Sequence, residues 1–219
     1  MLPDKPENVK CPACGKRQKR TGLVSGNSVG ARHYTDGKVI APMLPEIPRF
    51  VKCPKCGVFY KINERVTRGW ARQSAPEVAF LSDRECAEAI DDGLYNAEKH
   101  GSKEWREDII LLRLEMWRAF NDRIRDGYEP HGDEMRSDMP CSGVERALYE
   151  NNCWKLISML AEYDGDQACL TRAELFRNLG HFDECESELK KVNMQSEYEN
   201  CIAVMGEACN EKNTLTIQL

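Results

Sequence analysis

A chain of 219 residues, 41% of them apolar, can fold as one large domain or two small ones and can bury a core. Residues 1 to 72 hold 15 Lys/Arg against 5 Asp/Glu, and residues 73 to 219 hold 16 against 31, so two surfaces of opposite sign are expected. No apolar run approaches the ~18 residues of a membrane span, and the opening Met-Leu-Pro-Asp-Lys-Pro-Glu does not look like a secretion signal, which points to the cytoplasm.

The first segment, residues 1–62, has short apolar stretches such as Phe50-Val51 and Val58-Phe59-Tyr60-Lys61-Ile62 among glycines and prolines, the composition of short strands and turns. It also contains Cys11-Pro-Ala-Cys14-Gly and Cys53-Pro-Lys-Cys56-Gly, two near copies. Two residues between the ligands let both sulfurs of a pair face one tetrahedral ion, and the following glycine frees the backbone to turn. The four cysteines, Cys11, Cys14, Cys53 and Cys56, are therefore read as the ligands of one structural zinc ion. The 38 residues between the pairs exceed ordinary ribbon spacing and predict a strand-rich excursion. Lys10, Lys16, Arg17, Lys52 and Lys55 would offset the charge of a zinc-tetrathiolate. The basic run Lys16-Arg-Gln-Lys-Arg20, with Tyr34, Phe59 and Tyr60 as stacking faces, suits nucleic acid; the same charges suit solvent or the chain's own acidic helices. Gly22, Gly26 and Gly30 lack the Gly-Lys-Ser/Thr of a phosphate loop and are assigned to turns.

Residues 63–81 read as a linker. From Ser82 onward helices are predicted over 83–99, 103–126, 143–163, 166–178, 181–192 and 197–212. Capping boxes stand at Ser82–Glu85, Ser142–Glu145 and Ser196–Glu199, with a variant at Asp164–Gln167, and Gly101, Gly127 and Gly180 lie just past helix ends. The second helix carries a broad apolar stripe through Trp105, Ile109, Leu112, Met116, Trp117 and Phe120, the expected centre of the core. Gly127 to Cys141 is long and polar, a length that marks a functional or mobile loop. Cys153, Cys169, Cys185 and Cys201 recur every 16 residues and are read as one small core side chain per helix. His33, His100, His131 and His181 fall in separate elements, His131-Gly-Asp133-Glu134 reads as a polar loop, and no spacing supports a catalytic constellation.

Ala173-Glu-Leu-Phe-Arg-Asn-Leu-Gly180-His-Phe-Asp-Glu-Cys185-Glu-Ser-Glu-Leu189 resembles a tetratricopeptide repeat over about 27 residues, without its early Trp and closing Pro. That resemblance implies helical hairpins, either stacked around a peptide-binding face or closed as a plain bundle. Ser25-Gly-Asn-Ser-Val-Gly-Ala31, Tyr34-Thr-Asp-Gly37 and Pro42-Met-Leu-Pro-Glu-Ile-Pro48 resemble a group of bacterial proteins that join a zinc ribbon to a helical region. This second resemblance implies a bacterial source and zinc, carries over only the four ligand cysteines, and supplies no activity. The expected fold is α+β: a β-rich zinc ribbon at 1–62 and an all-α, tetratricopeptide-like helical domain at 82–219. The expected function is a non-enzymatic interaction or adaptor protein with a protein partner and no membrane contact. The alternative is a nucleic-acid-binding regulator.

Overall fold

Nine short strands precede six helices in the computed structural model, which describes residues 2–44, 46–63, 66–95, 102–125, 141, 143, 145–193 and 198–219. The fold class is α+β. The strands are β1 (Leu2–Pro3), β2 (Glu7–Lys10), β3 (Arg17–Arg20), β4 (Leu23–Ser25), β5 (Arg32–His33), β6 (Val39–Ile40), β7 (Phe50–Lys52), β8 (Phe59–Lys61) and β9 (Thr67–Trp70). The helices are α1 (Asp83–Asp92), α2 (Lys103–Asp122), α3 (Glu145–Leu160), α4 (Asp166–Asn178), α5 (Phe182–Leu189) and α6 (Glu199–Asn210). Gly101 and Gly127, His100 and His131-Gly-Asp133-Glu134, and the capping serines Ser142 and Ser196 lie outside the described residues. Among the described residues no helix is long and apolar enough to cross a membrane.

The chain divides into two units, Met1–Ala31 with Ile40–Leu112, and Arg32–Val39 with Arg113–Leu219. In the first, β2 is the middle strand of an antiparallel sheet in the order β3-β2-β9, and β7 pairs antiparallel with β8. Among the described residues no strand exceeds four residues, so each contributes only one or two side chains to a small core of Val9, Val51, Tyr60, Ile62, Val66 and Val78 with Cys11 and Cys53. Residues 63–81, read as a linker, supply part of this core. β9 pairs with β2, the Lys19 amide donates to the Pro76 carbonyl, and the Val78 amide donates to the Lys19 carbonyl. So small a core needs Val66 and Val78 to close it, and a four-residue strand is too short to announce itself by alternation.

α1 opens with a complete Ser82–Glu85 capping box, which satisfies two backbone donors reciprocally. It stops at Asp92, not near 99, because Gly93 takes a φ of +80° that ends the helical hydrogen-bond ladder. Cys86 and Ala89 face inward from it.

In the second unit Met116, Trp117 and Phe120 of α2 are buried, and Phe120 meets Tyr149 edge to face at 5.4 Å. α4 ends in a Schellman arrangement: the His181 amide donates to the Phe176 carbonyl and the Gly180 amide to that of Arg177, with Gly180 at φ +81°. α5 then turns back along α4. At the start of α4 the expected Asp164 cap is absent; Gly165 holds that position without a side-chain bond, and Asp166 Oδ1 accepts from the Asn193 amide instead. Cys153, Cys169 and Cys185 are buried on successive helices as expected, whereas Cys201 is only half-buried and Cys209 takes the inner position on α6.

Candidate metal centre

β2 ends at Lys10 and β3 starts at Arg17; β7 ends at Lys52 and β8 starts at Phe59. Each six-residue link is a Cys-Pro-x-Cys-Gly-x turn, and the two turns share one hydrogen-bond pattern. The first cysteine's amide donates to the carbonyl five residues on, Cys11 to Lys16 at 2.8 Å and Cys53 to Val58 at 2.9 Å. The glycine amide donates back to the first cysteine's carbonyl, Gly15 to Cys11 at 3.0 Å and Gly57 to Cys53 at 2.9 Å. Both glycines sit at positive φ, +73° and +75°, where a Cβ would be strained. Neither pair opens a helix, so neither resembles a thiol-disulfide redox turn.

These hairpin tips bring all four sulfurs within 4.8 Å of one another. Cys11 Sγ lies 3.7 Å from Cys56 Sγ, and Cys14 Sγ lies 3.6 Å from Cys53 Sγ. An ion with metal–sulfur bonds of ~2.3 Å places tetrahedral sulfurs about 3.8 Å apart, so the cluster already has close to the edge length that such an ion requires. Burial pushes the Cys11 thiol up to about 12, against the opposing amides of Cys14 and Ala13. At Cys53 burial also raises the value, but the amides of Cys56 and Lys55 and hydrogen bonds from the Cys56 and Cys14 thiols outweigh it and bring it down to about 7. Amides aimed at sulfur are what a bound thiolate needs. Burial, and then the negative field of the four cysteines, pushes up the Tyr60 hydroxyl, which donates to Gln18 Oε1 at 3.1 Å. The four cysteines can hold a metal ion. A four-thiolate shell leaves no open coordination position, so its chemistry is structural.

The basic run beside the first turn is less free than its sequence suggests. Arg20 pairs with Glu7 at 2.5 Å, Lys19 with Glu77 at 3.7 Å, and Lys61 with Asp108 at 2.5 Å. Lys52, expected to offset the cluster's charge, reaches Glu88 at 2.9 Å and Glu85 at 3.6 Å on α1, and lies 5.0 Å from the Phe59 ring centre. Lys10, Lys16, Arg17 and Lys55 are exposed. The proposed stacking faces are not available: Tyr34, Phe59 and Tyr60 are all buried. Trp70 on β9, the strand beside β2, is an exposed aromatic, with the Lys5 ammonium 5.7 Å from its ring centre.

The second unit contains a buried polar cluster that sequence reasoning missed. Tyr34 to Lys38 form a tight turn, closed by the Gly37 amide on the Tyr34 carbonyl, with Gly37 at φ +73°. Its tip buries Thr35 and Asp36. Asp36 is paired with Arg125 and accepts from Asn121 Nδ2 at 3.1 Å; the Thr35 hydroxyl donates to Glu174 Oε1 at 2.6 Å. Arg177 grips Glu174 through two bonds of 2.9 and 2.6 Å and donates to the Asn213 carbonyl, while Asn178 donates to the Thr214 carbonyl. Residues 213–219 run past the same turn, the Thr35 amide donating to Ile217 and the Leu219 amide to His33. This face of α4 is thus occupied by the chain's own segments. The available signal was the Glu174–Arg177 pair, two opposite charges three apart on an otherwise inward-facing helix. Nearby, Cys141, Tyr149, Asn178 and Thr214 line part of a cavity of about 180 Å³, where burial pushes the Cys141 thiol up and so keeps it a poor nucleophile.

Compared with protein-family models, curated proteins and solved structures, the chain matches none.

Proposed function

We propose that this is a non-enzymatic interaction protein, its β-rich part a zinc ribbon and its helical part a tetratricopeptide-like set of hairpins that contacts a protein partner. The observation that carries the metal half is the spacing of the four sulfurs, 3.6 and 3.7 Å along two edges, on two turns of matching hydrogen-bond pattern. Zinc is favoured because four thiolates in a tetrahedron suit its filled d-shell, and amides facing the sulfurs stabilise their charge. The adaptor half draws support from the outer face of α3. Leu148 and Trp154 are exposed there, and Trp154 stands edge-on to His181 at 5.0 Å and to Phe176 at 6.0 Å, a rigid aromatic patch suited to a protein contact. The non-enzymatic reading draws support from spent chemistry: in the second unit Asp36 is paired with Arg125, Glu174 with Arg177 and Glu188 with Arg172. Elemental analysis of the purified full chain should give one zinc per molecule; a metal-free folded protein would sink the reading. Affinity capture should then retain a protein partner after nuclease treatment.

Loss of that partner on nuclease treatment would favour the second reading, a nucleic-acid binder. Exposed Lys10, Lys16, Arg17 and Lys55, with Trp70 on the same unit, are what speak for it. Binding of this kind would weaken steeply and linearly in log–log salt titrations.

A further inference from the structure

A second sulfur pair lies in the core of the helical unit. Cys185 on α5 and Cys209 on α6 have their Sγ atoms 3.0 Å apart. The sulfur–sulfur contacts at the metal centre are 3.6 and 3.7 Å, and Cys201 Sγ meets Met205 Sδ at 3.6 Å, so this pair is closer by more than half an ångström. The spacing excludes a zinc-like ion between them: with bonds of ~2.3 Å the angle at the metal would be about 80°, far below tetrahedral. A disulfide needs the sulfurs only about 1 Å nearer. The walls are apolar, with Leu170, Ala173, Leu189 and Met205 in the same core, and the charges of Glu174 and Arg177 act on both sulfurs in opposite senses.

We propose that Cys185 and Cys209 are an oxidisable pair, whose disulfide cross-links α5 to α6 when the chain meets a peroxide. Cys209 retains slight exposure, 4% against 0% for Cys185, and reacts first. Its sulfur attacks one peroxide oxygen, the O–O bond breaks, and the departing hydroxide leaves as water with the thiol proton, giving the Cys209 sulfenic acid. The Cys185 sulfur then displaces hydroxide from the sulfenic sulfur; the S–S bond forms, and that hydroxide leaves as water with the Cys185 proton. One peroxide is reduced to two waters and two thiols are oxidised to one disulfide. Burial raises both thiols and keeps them protonated, so the reaction is slow and follows brief openings of α6. Nothing in this chemistry needs the ion at Cys11, Cys14, Cys53 and Cys56.

The test uses the full chain with its metal bound, treated with hydrogen peroxide under native conditions, alkylated in denaturant and mapped by mass spectrometry. The expected result is a cross-linked peptide joining Cys185 to Cys209, the loss of two hydrogens from the chain, and a melting temperature that rises and reverts with dithiothreitol. Cys185→Ala should abolish the cross-link and the rise, and Cys209→Ala should do the same. Two results would overturn the proposal: both cysteines still alkylated as free thiols after other cysteines have oxidised, or the cross-link appearing only when peroxide is added to unfolded chain. The map on unmodified protein decides the matter even where either variant folds poorly.

Discussion

The two units solve the problem of holding a fold together with opposite chemistry. In the first, strands of two to four residues surround a small cluster of side chains at the cysteine turns, a sheet region too thin to be held by apolar burial alone. Four sulfurs at two hairpin tips make up the difference if they bind an ion. The second has long helices and ample core, and it spends part of that surplus on buried charge: Asp36 with Arg125, and Glu174 with Arg177. A unit held by an ion at those cysteines would depend on one point, whereas a network-held unit depends on pairs that a single substitution leaves half made. Their responses to damage should differ accordingly.

The largest effect is expected from removing the zinc ion proposed for the four cysteines. Structural zinc contributes about 10–16 kcal/mol of binding free energy that is coupled to folding. A strong chelator, or Cys53→Ser, should therefore collapse the first unit. Amide signals of β2, β3, β7 and β8 should lose their dispersion, while those of α3 to α6 stay. Acid should release the ion as well, because the thiolates must reprotonate. If the strands survive chelation with bound metal shown to be gone, the contrast between the units fails.

Next in size is Asp36→Ala, which removes one of the two carboxylates paired with the buried Arg125 guanidinium, leaving Asp122, and should cost about 1.5–3 kcal/mol. Denaturant unfolding followed at Trp117 and Trp154, both in this unit, measures it. Adding Arg125→Met should recover part of the loss, since two apolar groups can replace a buried ion pair at little cost while Asp122 keeps its pair with Lys38 at 3.6 Å. A single substitution that costs less than 1 kcal/mol would mean that water reaches the pair.

What could be read in advance follows the same division. The cysteine turns and the Ser82 box were legible because each depends on residues three to five apart, and α4 and α5 were legible because Gly180 and the apolar spacing act locally. The buried network was not. Thr35 and Glu174 are 139 positions apart, and Asp36 and Arg125 are 89 apart, so no window along the chain contains both halves. Tyr34-Thr-Asp-Gly37 and Ala173–Asn178 each stood out as motifs, yet nothing in either named the other. Gly93 ends α1 earlier than the helix expected over 83–99, with a φ of +80° that nothing in its neighbours' identities announces.

A smaller effect separates the units by pH. Burial raises the Glu188 carboxyl, but bonds from Lys191 at 2.6 Å and from Arg172 at 3.0 and 2.8 Å outweigh it and hold it below the usual range. A depressed carboxylate stabilises the fold above its unfolded value of ~4.3, and this contribution is lost as pH falls through the lower folded value. Glu188→Gln should thus lower the second unit's stability at neutral pH by about 1–3 kcal/mol and flatten its acid limb. Stability curves of parent and variant that stay parallel through the carboxylate range would remove Glu188 from the account.

The smallest effect tests whether the metal leaves any share of the first unit's stability to helix ends. The Ser82 hydroxyl accepts from the Glu85 amide at 3.2 Å, and Glu85 Oε2 accepts from the Ser82 amide at 3.1 Å. Glu85 also lies 3.6 Å from the Lys52 ammonium, one residue before the second cysteine turn, so the cap ties α1 to the strand that carries Cys53. Ser82→Ala removes one side of the box and should cost about 1 kcal/mol, while Ser82→Gly should cost only a few tenths. Measured with metal bound, the loss should appear as faster exchange of the amides at the start of α1 and in β7, with those of α4 and α5 unmoved. Exchange rates that rise equally in both units would mean that the two unfold together, and the division of labour between sulfur and buried charge would lose its meaning.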